Sequence, residues 1–268
     1  MLLQIHWNAD PTIFRLGPLA PRWYGLLFAL GFLIGFYMMR HVYLREDKPV
    51  QDLDFLLLYL LGGTVIGARL GHILFYAPGY YLMRPAEIIK IWEGGLASHG
   101  GLIGVILAIW LYCRRRDDQP FVWLLDRLAA PVALTGSLIR LGNLFNSEIL
   151  GVPADVPWAV VFERVDQVAR HPVQMYESIS YALICALLWT LYQRMGDDLP
   201  RGLNIGLFLT LIFGVRVVLE VFKVEQAHFE MALPLTMGQL LSLPAVGIGL
   251  WLLWRASQSS EAPTASRR

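Results

Sequence analysis

FVWLLDRLAAPVALTGSLIRLGNLFNSEILG, Phe121 to Gly151, is the stretch on which the fold turns. Phe121 to Ile139 is an apolar run of membrane-spanning length, and the next nine residues bring Arg140, Asn143, Asn146 and Glu148. Charged and amide groups at the rim of a hydrophobic segment are costly unless satisfied, so they persist where they pair or bind something. Their spacing lets Arg140, Asn143 and Asn146 share one side of a helix end or tight loop. Gly142 and Gly151 let backbone come close to a ligand. A single Arg or Asn here would read as a polar cap closing a membrane helix; the whole cluster reads as a site.

The surrounding composition agrees with a membrane setting. Of 268 residues, 56% are apolar and only 16% charged, too apolar for an ordinary soluble domain of this size. The net charge of +1 gives no bulk argument for a nucleic-acid partner. Cys113 and Cys185 show no CxxC or metal-like spacing, so neither a disulfide framework nor a cysteine metal site is expected. Before Trp23 the chain is polar and carries Pro11, Pro18 and Pro21. This suggests an interfacial lead-in with room for a short helix, not a cleavable leader.

Seven apolar spans follow: Trp23 to Met39, Leu53 to Tyr76, Ala97 to Tyr112, Phe121 to Leu141, Pro172 to Tyr192, Gly202 to Phe222 and Thr236 to Trp254. Between the fourth and fifth lies a connection too long to be a simple loop, with a β-like run at Trp158 to Phe162. The connector from Ala77 to Leu96 is rich in Pro, Tyr and Gly, and Trp92 and its tyrosines suit an interfacial belt. Arg40, Arg45, Lys48, Arg114, Arg115, Arg116, Arg194, Arg201, Arg255, Arg267 and Arg268 follow odd-numbered spans, against Arg15, Arg22, Arg84, Lys90, Arg164, Arg170 and Lys223 on the other side. The bias puts the first set inside and the N-terminus outside.

With that orientation, polar groups from six distant segments reach one outer level. Tyr24 opens the first span, Arg69 lies in the outer half of the second, and His99 opens the third between glycine pairs. Arg140 ends the fourth, and His171, Gln174, Tyr176 and Glu177 open the fifth. Arg216 is about 21 Å along the sixth at about 1.5 Å per residue, with Glu220 one turn further and placed to pair with it. Singly, each has a plainer reading: a packed histidine, an aromatic belt residue, a structural ion pair. Their shared depth favours a site. The glycines around His99 let neighbouring helices or lipid chains approach closely. A transporter or channel for an anionic solute is the rival, and it requires polar residues through the full thickness, where the inner half offers little beyond Asp126 and Arg127. An intramembrane metalloprotease would need an HExxH-type pair, whereas His72, His99 and His171 are spread over three helices.

At these residues the chain resembles the prolipoprotein diacylglyceryl transferase family. The resemblance rests on Trp23-Tyr24-Gly25, Gly67-Ala-Arg69-Leu-Gly71, His99-Gly-Gly-Leu-Ile-Gly104, the Arg140 to Gly151 signature, His171-Pro-Val-Gln-Met-Tyr-Glu177, and Arg216 with Glu220. It departs at Ile139, Leu144 and Ile212, the last standing where the family carries a tyrosine four residues before the Arg of span six.

The resemblance implies an all-α polytopic membrane protein with about seven transmembrane helices and a small periplasmic head. Residues 1–255 would form the membrane transferase domain with residues 142–172 as the head insertion, and residues 256–268 a disordered cytoplasmic tail. It implies a bacterial inner-membrane enzyme that moves diacylglyceryl from phosphatidylglycerol to the lipobox cysteine of a preprolipoprotein, forming a thioether and releasing glycerol phosphate. No metal or other cofactor and no nucleic acid is expected; membrane lipids are. A thiol needs a base to become a nucleophile, and an imidazole titrates in the useful range, which points to His99. Arg140 and Arg216 would grip the phosphate as its charge grows. Asn143, Asn146, Glu148 and Gly151 would meet the headgroup, with Tyr24, Arg69, His171 and Glu220 supporting the lipid or orienting the arginines.

Overall fold

The computed structural model describes residues 5–17, 19–91, 94–224 and 235–261. Among these, the chain runs β1 (Ile5–Trp7), α1 (Trp23–Arg45), α2 (Asp52–Tyr76), α3 (Pro78–Met83), α4 (Ser98–Cys113), α5 (Phe121–Asn146), β2 (Val160–Phe162), β3 (Ala169–Arg170), α6 (Val173–Met195), α7 (Leu203–Leu219) and α8 (Met237–Glu261). Six helices are long and apolar enough to cross a membrane. The third expected span is the short α4; its 16 residues rise about 24 Å, less than a hydrocarbon core of about 30 Å. It starts only after Gly94 and Gly95, both at positive φ, and stops at the Arg114 run. Large apolar side chains such as Leu58, Leu74, Leu183 and Leu241 face outward, while Arg69, Asp126, Arg127 and Glu177 are buried. This inside-out distribution suits a lipid solvent, and the chain is a multi-pass, all-α membrane protein.

Two compact units divide the chain, Arg40–Leu124 and Met1–Met39 with Leu125–Arg268. In the first, α2 and α4 meet along a seam of glycines. Gly63, Gly67 and Gly71 recur every fourth residue on α2, opposite Gly100, Gly104 and Ala108 on α4. A Cβ on Gly67 would sit 2.7 Å from Gly104 Cα, and one on Gly71 2.7 Å from Gly100 Cα. A helix backbone, then, takes the space these glycines leave. Gly104→Ala would push a methyl against Gly63 O and Gly67 Cα, and is expected to destabilise the unit by about 1–3 kcal/mol. Thermal unfolding in detergent measures this, and an unchanged midpoint would contradict so close a seam. At the other end of these helices, buried Tyr43 and Tyr112 both donate to Gln119 Oε1 at 2.7 Å, and Gln119 Nε2 donates to Asp52. Burial of Val42 and Tyr43 explains why α1 continues beyond Met39 to Arg45.

The core of the second unit is Ala129, Ala130, Ala133, Tyr181, Ile184, Cys185, Leu188 and Ile212, from α5, α6 and α7. Small residues on α5 let α6 come close, and Ser137 and Ser178 exchange hydrogen bonds across the contact. Buried Asp126 accepts from Gly202 N and Ile205 N, so it caps α7 at its positive end. This carboxylate serves the fold, which removes it from the ion path the rival reading needs. The strands form a three-stranded sheet in the order β1-β2-β3, β1 parallel and β3 antiparallel to β2. Its core is Leu144, Val160 and Phe162, packed by Trp7, Leu150 and Met175.

The lead-in thus contributes a strand, where a short helix was expected. Residues 256–261, expected in the disordered tail, continue α8, while 262–268, Pro18, Trp92 and Glu93 lie outside the described residues.

Candidate active site

Arg140, Asn143 and Asn146 lie one turn apart on the last two turns of α5, which runs five residues past the expected Leu141 end. The Arg140 guanidinium is held twice: Nε pairs with Glu177 Oε2 at 3.0 Å, and Nη1 donates to Asn143 Oδ1 at 3.3 Å. Asn143 Nδ2 and Asn146 Nδ2 each donate to one oxygen of Glu148, both at 3.2 Å. Glu148 reaches back because the chain turns sharply: Ser147 and Ile149 both have φ near +55°. A β-branched residue there is strained, by about 1–3 kcal/mol. Gln174 Nε2 braces the turn by donating to Glu148 O at 2.6 Å.

Both glycines of the signature are occupied by protein. A side chain on Gly142 would run into the Tyr24 ring and Cα, at 2.8 and 3.0 Å; one on Gly151 would meet His171 O, with His171 Cβ at 2.9 Å. The expected close approach of a ligand to these backbones is replaced by packing that brings Tyr24 and His171 up to the α5 end. Tyr24 lies in the field of Glu148 and Arg140. Trp158 Nε1 donates to Tyr176 OH at 2.7 Å, and Tyr176 OH lies 3.1 Å from His171 Nδ1. An indole N–H can only donate, so the phenol is free to donate onward to Nδ1, leaving the proton of neutral His171 on Nε2.

Arg216 and Glu220 do not form the expected pair. Instead Lys223 Nζ holds Glu220 Oε2 at 2.9 Å and Glu177 Oε1 at 3.0 Å. Arg216 Nε is buried with no hydrogen-bond partner among the described residues. Asn146 Oδ1 and Gln174 Oε1 are buried and unpartnered in the same sense. Tyr181, one turn after Glu177, lies in the field of Glu177, Arg140 and Arg216. It packs in one cluster with Ile212, so α6 supplies a phenol at the place where the family's tyrosine is missing from α7.

Gln174 and Glu177 were expected at this level without a role of their own, while Lys223 and Tyr181 were not among the residues expected from sequence. Glu177 and Lys223 carried a signal: a carboxylate and an ammonium near the ends of apolar helices, which persist there only when paired.

In the other unit, Arg69 is spent on the backbone. Nε donates to Ile88 O, Nη1 to Gly94 O and Gly95 O, and Nη2 to Glu87 O. Four of its five N–H donors are therefore used, and the guanidinium also lies over the Tyr81 ring at 4.9 Å. Arg69 shapes the connector that leads into α4. His99, in the first turn of α4, is exposed, with its ring against Phe75 and Tyr76.

Residues 11–255 match the profile of the family described as prolipoprotein diacylglyceryl transferase. The chain belongs to that family. It is 51% identical to the phosphatidylglycerol–prolipoprotein diacylglyceryl transferase of Chloroherpeton thalassium over 96% of both chains. The protein of that name from Tolumonas auensis is 53% identical over 93% of this chain and 96% of its own. The one from Cupriavidus metallidurans is 37% identical over 98% and 99%. The buried Arg140–Glu177–Lys223–Glu220 network, with Arg216 beside it, is thus set in a prolipoprotein diacylglyceryl transferase fold.

Proposed function

We propose that this chain transfers the diacylglyceryl group of phosphatidylglycerol to the lipobox cysteine of a preprolipoprotein at the outer leaflet of the bacterial cytoplasmic membrane, N-terminus outside and C-terminus inside. The observation that carries the reading is Arg216: its buried Nε has no hydrogen-bond partner among the described residues, and Arg216 and Arg140 both act on Tyr181. Two planar cations in a low-dielectric site suit a phosphodiester. The unpartnered Asn146 Oδ1 and Gln174 Oε1 suit hydroxyl donors of a glycerol headgroup.

In the reaction a base takes the thiol proton, and the thiolate sulfur attacks the diacylglyceryl carbon that bears the phosphoester. The C–S bond forms as the C–O bond breaks, and its electron pair stays on the phosphate oxygen. Glycerol phosphate leaves with one more negative charge than the diester carried. Arg140 and Arg216 stabilise that growing charge, which is where preorganised cations accelerate a reaction most. Tyr181 adds a phenol donor at the same point. His171, with its proton on Nε2, is a further donor to lipid oxygen. His99 is the proposed base.

The direct test is thioether formation by the purified protein, reconstituted with phosphatidylglycerol and a lipobox peptide and read by mass spectrometry; absence of the product defeats the proposal. His99→Gln is expected to lower kcat by about 100-fold or more, with KM for phosphatidylglycerol little changed. A raised KM with an intact rate at saturation would make His99 a positioning residue.

A further inference from the structure

We propose that Lys223 is a positioning residue whose task is to keep Arg216 uncommitted, by occupying the carboxylate that Arg216 would otherwise bind. The inference rests on the reading of Arg216 as a phosphate-binding residue.

Arg216 and Glu220 are four residues apart, the spacing at which an arginine and a glutamate on one helix meet. The structure prevents it in three ways. First, the chain tightens after α7 into a 3-10 turn, Glu220–Phe222, in which Lys223 N donates to Glu220 O at 3.1 Å, and this brings Lys223 back over the Glu220 carboxylate. Second, Lys223 is clamped by its neighbours: Val152 N donates to Phe222 O at 2.9 Å, Val224 N donates to Leu150 O at 3.1 Å, and Gly151 bridges to Lys223. Its side chain, 6% exposed, therefore holds the ammonium between Glu220 and the fully buried Glu177. Third, the Glu220 carboxylate rests on Gly238 in the first turn of α8, where any side chain would collide with it. That turn is itself locked, because Thr236 and Gln239 exchange hydrogen bonds in a capping box, and Gln239 Nε2 donates to Val217 O.

The charges then distribute unequally. Arg140 and Lys223 share Glu177, Lys223 alone takes Glu220, and two carboxamides take Glu148. Arg216 is the cation of this cluster left without an acid among the described residues. A lysine suits the task because its compact ammonium can contact two carboxylates at once. Removing it frees the Glu220 carboxylate one turn from a guanidinium whose Nε has no partner among the described residues, and the two would collapse onto each other. A lysine that merely welds α6 to the end of α7 predicts something different, namely loss of stability with no recovery when Glu220 is also neutralised.

The test is a cycle in the full-length protein reconstituted with phosphatidylglycerol at varied mole fraction, with a lipobox peptide as acceptor: wild type, Arg216→Gln, Lys223→Met, Lys223→Arg, Glu220→Gln and the double variant K223M/E220Q. We expect K223M to raise KM for phosphatidylglycerol by about tenfold or more, the size of a coupling within one charge network. K223R restores most of the affinity. In K223M/E220Q the competing carboxylate is gone, so the double variant binds phosphatidylglycerol better than K223M alone. A double variant as poor as K223M or poorer overturns the assignment, and so does a K223M protein with wild-type KM. If R216Q leaves KM unchanged, the phosphate role of Arg216 falls and takes this inference with it. If R216Q raises KM and K223M does not, only the Lys223 assignment falls. Should K223M not accumulate as folded protein, Lys223→Gln replaces it in the same cycle with the same criteria.

Discussion

Replacing Arg140 by lysine is expected to lower kcat/KM for phosphatidylglycerol by about 100-fold to 1,000-fold, although the charge is kept; this is the cost of losing one preorganised donor to a developing anion. The reason is geometric. Arg140 uses Nε for Glu177 and Nη1 for Asn143, and that double hold fixes the plane of the guanidinium so that its remaining N–H groups have one direction. An ammonium in its place would settle between Glu177 and Asn143 and offer no second edge to a phosphate. Steady-state rates of thioether formation across a phosphatidylglycerol titration measure the effect. A loss of less than about threefold would mean that the charge alone matters and the planar fork does not.

Glu177→Gln is expected to have the largest effect on stability, about 3–5 kcal/mol, because it removes the shared counterion of two cations while preserving the shape. The side chain of Glu177 is fully buried, and those of its partners Arg140 and Lys223 are 15% and 6% exposed, so solvent does little to replace the lost charge. Lys223 keeps Glu220, while Arg140 keeps only the Asn143 carboxamide. The unfolding midpoint in detergent should fall, and Glu177→Asp should recover part of the loss. An unchanged midpoint for E177Q would show that water reaches the pair and that the network is weak.

The helices were legible because hydropathy in lipid reports directly on secondary structure, and the Arg140 cluster was legible because its three-residue spacing matches a helix turn. The pairing inside the cluster was not. Sequence spacing gives Arg216 to Glu220, whereas Lys223 wins Glu220 because the end of α7 tightens and because Glu177, from another helix, helps to fix the ammonium. Lys223 is itself three residues from Glu220, so spacing offers both partners; the contact that spacing does not register is Glu177, which arrives from another helix. The hold on Arg69 escaped the sequence for a similar reason. Its partners are main-chain carbonyls of Glu87, Ile88, Gly94 and Gly95, and carbonyls leave no mark on a sequence. The glycines of the signature were rightly expected to permit close approach, but what approaches Gly142 and Gly151 is Tyr24 and His171. Strand β1 was invisible because three residues, Ile5 to Trp7, carry too short a pattern, and their partner is remote.

That remoteness has a consequence for how the protein is made. His6 meets Glu163, 157 positions later, and the β1 pairing with β2 is parallel, so no hairpin can form early and hold the first strand in place. At ribosomal speeds of about 5–20 residues per second, the first strand waits on the order of ten seconds for its partner to be synthesised. During that interval α1, α2, α4 and α5 enter the bilayer. The three-stranded sheet is therefore the last part of this region to close, after the helices between its strands have been made.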